Sequence, residues 1–100
     1  MVKNAPVKIV VLDVLKPHEP NILELGKALC SDNSILDVNI SVYAVDEKTE
    51  STKVTISGKD INFDNVKHIM EESGSVIHSI DKVVVGKKEI IPVPPEVQLK

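Results

Sequence analysis

The chain has no arginine. All 12 of its cationic side chains are lysine, and against 15 carboxylates they leave a net charge of -3. Arginine is the usual residue for bidentate contacts to phosphate and guanine. Only Tyr43 and Phe63 are aromatic, so little is available for base stacking, and nucleic acid is not expected as the main partner. The all-lysine usage has a plainer reading, which is genomic base composition. Cys30 is the single cysteine, so no disulfide can form within the chain. No run of about 18 apolar residues is present to span a bilayer, and there is no apolar core of a signal peptide after Met1. The expected setting is the cytoplasm, with no membrane partner. The four glycines, at 26, 58, 74 and 86, are isolated, which excludes a phosphate-cradling loop.

What is present is a chain of one-domain length, 100 residues, 42% hydrophobic and 27% charged, ordinary values for a globular protein. With so few aromatics the core must be aliphatic, and many of its residues are β-branched, which favours strands. A small domain also has a thin core, marginal when alone.

Val7 to Leu15 (VKIVVLDVL) is nearly continuous apolar sequence and reads as a central strand covered on both faces. Pro17 and Pro20 end it. Pro20 to Ser31 places Ile22, Leu25, Ala28 and Leu29 at helical spacing, with proline suited to the first turn. Ile35 to Asp46 alternates: Val38, Ile40, Val42 and Ala44 fall on one face, Asn39, Ser41 and Tyr43 on the other. The polar turn Glu47-Lys48-Thr49-Glu50 and a second alternating run, Ser51 to Ser57, complete a hairpin with Val54 and Ile56 inward. Asn62 or Asp64 can cap a helix from Phe63 to Ser73, which Gly74 stops. Val76 to Val85 is the last strand. The tail from residue 90, IIPVPPEVQLK, has three prolines and reads as extended. Residues 1–89 are therefore expected to form the domain and 90–100 a proline-rich tail.

Strand-helix-strand, strand-helix-strand is the ferredoxin-like βαββαβ order, an α+β two-layer sandwich with an antiparallel sheet in the order 4-1-3-2. Both helices lie on one face. On the other, either Ile9 and Val11 or Val10 and Leu12 stand exposed, depending on the parity of the strand, as an apolar patch of the kind that marks an interface.

The stretches VVLDVLKPHEP, VNISVYAVDEKTE, VTISGKDINFD and VIHSIDKVVVG together resemble an archaeal conserved family, domain of unknown function family 211, over residues 7 to 86. The resemblance implies a ferredoxin-like sandwich, an archaeal source and assembly into ring-like homo-oligomers. It also implies bound cations. Cys30 and the segment after Gly86 fall outside the resembling stretches.

The topology brings candidate ligands to one end of the sheet. His18 follows the first strand, His78 begins the fourth, and the hairpin turn carries Asp46, Glu47 and Glu50. If Leu15 pairs near Val76, Asp13 faces His78, although a slip of one residue would separate them. Two imidazoles and a carboxylate suit zinc, copper or nickel. The expected metal site is therefore His18, His78 and Asp13, with the hairpin acids as an alternative for calcium. The plainer readings are a lysine or amide partner for Asp13, a capping or loop-filling role for His18, and a solvated turn for the acids. No HExxH or CxxC pattern is present. Met1, Met70, Cys30 and His68 show no ligand spacing; Met70 reads as core and His68 as an exposed helix residue.

Enzymatic readings have less behind them. His78 and Ser79 point to opposite faces of a regular strand, Asp13 and His78 lack an accompanying nucleophile, and Cys30 stands near the wrong end of its helix for an activated thiol. The expected function is a non-catalytic, homo-oligomeric metal-ion-binding protein for storage, buffering or sensing. The alternative is a small-molecule-sensing or structural assembly module with ligand sites between subunits.

Overall fold

The computed structural model describes residues 5–87, and the expected tail at 90–100 lies outside them. The elements follow in the expected order: β1 (Val7–Pro17), α1 (Ile22–Cys30), β2 (Asp37–Val45), β3 (Thr49–Ser57), α2 (Phe63–Glu72) and β4 (Val76–Val85). The sheet is antiparallel with order β2-β3-β1-β4, which is 4-1-3-2 read from the other edge. This is the ferredoxin-like fold.

Each helix starts where a side chain can satisfy its free amides. Asn21, one residue after Pro20, caps α1. Its side-chain oxygen accepts from the Glu24 amide at 2.8 Å, and the Glu24 carboxylate accepts from the Asn21 amide at 3.0 Å. This reciprocal pair is a capping box. Asn62 caps α2 and accepts from the Asn65 amide at 3.2 Å. At the far end of α2 the Gly74 amide donates to the Glu71 carbonyl and the Ser75 amide to the Met70 carbonyl. That pattern needs a left-handed residue between them, and Gly74 supplies it at φ 75°. Gly58 answers a different demand. A Cβ there would lie 2.1 Å from the Ser34 carbonyl oxygen.

The helices cover one face of the sheet, α1 over β2 and α2 over β4. Val10, Leu12 and Val14 of β1 are buried against Leu25 and Leu29 of α1, Val66 and Met70 of α2, and Val54 and Ile56 of β3. β1 is thus buried on one face, not two as its continuous apolar run suggests. Ile9 and Val11 take the other face and stay half-buried, between Thr55 and Lys82 across the two ladders in the case of Val11. The large apolar side chains left exposed concentrate at the sheet edges instead: Val42, Tyr43 and Val45 on β2, and Val76, Ile80, Val83 and Val85 on β4.

Candidate functional site

The end of β1, the β2–β3 turn and the start of β4 converge as the topology requires. Leu15 pairs with Ser51 on one side and Val76 on the other. That register would set Asp13 opposite His78 in a regular ladder. It does not, because β4 carries one extra residue between the pairs Asp13–Ser79 and Val14–Ile77. His78 is that extra residue, and Asp13 stands opposite Ser79. A second irregularity leaves Asp81 as an extra residue between the pairs Leu12–Ile80 and Val11–Lys82. β-Bulges of this kind are common on edge strands, where they re-aim side chains.

The three expected ligands therefore separate into different surroundings. His18 belongs to the hairpin: its Nδ1 lies 2.9 Å from Glu50 Oε2 and its Nε2 lies 2.9 Å from the Glu47 carbonyl oxygen. Both partners are acceptors, so the arrangement is best met by an imidazolium that donates from both nitrogens. The Glu50 hydrogen bond first, and the Glu47 carbonyl second, hold the imidazole above its ordinary value. In this arrangement neither nitrogen keeps a lone pair for a metal.

Glu50 has a second cationic partner that sequence reasoning missed. The Lys16 Nζ is 3.2 Å from Glu50 Oε1 and donates to the Pro17 carbonyl at 2.6 Å. The Lys16 side chain is 0% exposed. Its burial follows from strand parity, since Lys16 is next in the series Val10, Leu12, Val14 on the face toward the helices. Lys16 and Glu50 are also direct partners across the β1–β3 ladder. The hydrogen bonds from His18 and then from Lys16 hold the Glu50 carboxyl below its ordinary range. The signal was present in the alternation, but Lys16 beside Pro17 reads as the start of a loop.

Asp13 lies on the opposite face in a separate network. The Tyr43 hydroxyl donates to both carboxylate oxygens, at 2.7 and 2.9 Å. Tyr43 is the extra residue of β2, between the pairs Val42–Thr52 and Ala44–Ser51, and its side chain reaches across β3. The bond to Asp13 raises the phenol above its ordinary value. Lys53 stands 3.9 Å from Asp13 and is ion-paired with Asp81, which also accepts from the Ser79 hydroxyl at 2.6 Å. Lys53, then Ser79, keep the Asp81 carboxyl low, and Asp81 in turn raises the Lys53 amine. The plainer reading of Asp13, a lysine partner, thus describes part of its environment.

His78 is exposed. Asp46 and Glu47 are exposed at the hairpin tip, while Glu50 is drawn inward by Lys16 and His18. His68 is an exposed α2 residue beside Glu72, and Met70 is core, both as expected. Cys30 is a free, exposed thiol at the end of α1. Among the described residues no group of three or more His, Cys, Asp or Glu side chains is placed to hold a metal ion within one subunit. No helix among them is long and apolar enough to cross a membrane.

Two comparisons bear on this architecture. An uncharacterized protein of Methanocaldococcus jannaschii is 50% identical over 84 residues, which is 84% of this chain and 87% of that protein. A family profile, described as uncharacterized ArCR, matches residues 8–98 and so continues through most of the proline-rich segment that the resembling stretches left out. The chain belongs to this archaeal conserved family, domain of unknown function family 211.

Proposed function

We propose that the chain is a non-catalytic protein that assembles with copies of itself and carries a metal ion between subunits. One observation carries the assembly: the exposed large hydrophobics gather on β2 and β4, the two edges of the sheet. The two edges are different surfaces, so contact between them is head-to-tail and closes into a ring when the rotation permits. The irregularities at Tyr43, His78 and Asp81 interrupt the edges and oppose indiscriminate strand addition. Side-chain packing of Val45 and Tyr43 against Val76, Ile80 and Val83 is then the adhesive contact.

The same contact gives the metal reading a place. With β4 of one subunit antiparallel to β2 of the next, His78 comes to the end of the sheet where the neighbour's Asp46 and Glu47 emerge. For copper or zinc held within a subunit by His18, His78 and Asp13, His18 would first have to release Glu50 and the Glu47 carbonyl. An interfacial ion, including a hard one such as calcium, needs no such release. The reading is non-catalytic because neither polar network holds an activated nucleophile. A cytoplasmic setting suits the free thiol of Cys30.

Light scattering at micromolar concentration tests the assembly. An oligomer that Val45→Lys or Val83→Lys reduces to monomers is expected, and a monomeric wild type overturns it. Elemental mass spectrometry of purified protein tests the metal. Stoichiometric metal that is lost in Asp46→Asn/Glu47→Gln or in His78→Ala is expected. Metal-free protein that takes up none of copper, zinc or calcium on addition overturns it.

A further inference from the structure

We propose that the groove between α1 and β2 seats the chain's own C-terminal segment, residues 88–100. The groove has a volume of about 390 Å³ and is lined chiefly by Ile22, Leu23, Gly26, Cys30, Val38 and Ile40. It stays open because Gly26 has no side chain; the next wall, Ile40 Cδ1, is 3.7 Å from where a Cβ would stand. Leu23 is 65% exposed beside it. Apart from Lys27 and Cys30 the lining is aliphatic, and it asks for an aliphatic occupant.

The C-terminal segment has that chemistry. Ile90, Ile91, Val93, Val97 and Leu99 alternate with Pro92, Pro94 and Pro95. The prolines favour an extended polyproline conformation with little entropy left to lose on docking. The family profile runs through residue 98, so the segment shares the pattern of the domain.

Position and length agree. Val84, Ile9, Ser57 and Asp37 form one transverse row across the sheet. The Gly86 amide donates to the Pro6 carbonyl just beyond that row. The chain therefore leaves β4 at the end of the sheet where β2 begins and α1 finishes at Cys30. From β4 to β2 is three strand spacings, roughly 14 Å. Seven residues of extended chain span about 22 Å, which brings Val93 from Gly86 to the groove and leaves Val97 and Leu99 to lie along it. Because the segment is tethered, its effective concentration is high and modest burial holds it. The proposal concerns a single subunit and does not depend on assembly.

Cys30, the chain's one thiol, is the reporter. Ile91→Cys, Val93→Cys and Val97→Cys are introduced singly into the full chain and oxidised, with Cys30→Ser as control. The expected result is a disulfide to Cys30 within one chain for at least one of the three, seen as monomer mass with no free thiol after denaturation. Deleting residues 88–100 is expected to speed labelling of Cys30 by a soluble thiol reagent about fivefold or more, and Ile91→Asp/Val93→Asp in the full chain to do the same. Only interchain disulfides would move the segment to another copy and overturn the assignment. Free thiols in all three variants, or unchanged labelling after deletion, would overturn it too.

Discussion

The Lys16 amine and the Glu50 carboxylate lie 3.2 Å apart at the end of the sheet, with Lys16 wholly enclosed. An enclosed ammonium is tolerable only with a close counter-charge and acceptors for its protons. Glu50 and the Pro17 carbonyl supply both. Glu50 also holds His18, so one carboxylate ties the loop after β1 to the β2–β3 hairpin.

Removing one partner should therefore cost more than removing both. Glu50→Gln leaves the ammonium enclosed with carbonyl partners only, and a lower melting temperature is expected. Lys16→Met in the Glu50→Gln background should recover part of the loss, because the stranded charge is gone. Thermal melts of the three variants beside the wild type check this; a double variant that melts below Glu50→Gln contradicts it.

The same cluster sets a pH window. His18 is raised above its ordinary 6.5, so its contribution is fully present below that pH and is lost as pH rises through the raised value. Glu50 is lowered from 4.5, so its contribution is present above that pH and is lost as pH falls through the lowered value. Both hold between roughly pH 4.5 and 6.5. Wild-type melting temperature should decline from pH 6 toward 9 by more than that of His18→Gln. Parallel pH profiles would remove His18 from the account.

Tyr43 is the one tyrosine, so ultraviolet titration reads its phenol without overlap. Asp13 holds that phenol above 10.0. Asp13→Asn should bring the ionisation midpoint down, and a midpoint that does not move would mean that the hydrogen bond is absent in solution.

Packing makes two further demands of known size. Leu12 is 0% exposed in the centre of the core, so Leu12→Ala should cost about 2–5 kcal/mol, whereas Leu36→Ala, at a side chain 58% exposed in the loop before β2, should stay within roughly 0.5 kcal/mol. Gly58→Ala places a methyl against the Ser34 carbonyl, an overpacking that should cost on the order of 1–3 kcal/mol. Denaturant unfolding measures all three, and a wild-type midpoint for Gly58→Ala would show that the Ser34 turn gives way.

The order of elements, the hairpin, a cap at Asn62 or Asp64, the helix stop at Gly74 and the inward placing of Val54 and Ile56 were all legible in the sequence. They rest on local preferences and on alternation, which any stretch of chain carries by itself. Residue pairing was legible as far as Leu15 and Val76, and no further. One extra residue in β4 then turned Asp13 from His78 to Ser79, and no local preference announces a bulge whose cause is the fit between two strands. Parity puts Lys16 on the inner face, but its full enclosure depends on what closes over it, and the occupation of both His18 nitrogens depends on a hairpin 29 to 32 residues away. Sequence by itself determined which elements form and which residues reach one end of the sheet. Tertiary structure decided which of them touch, because hydrogen bonds and ion pairs are settled over a few ångströms, a distance that a single inserted residue exceeds.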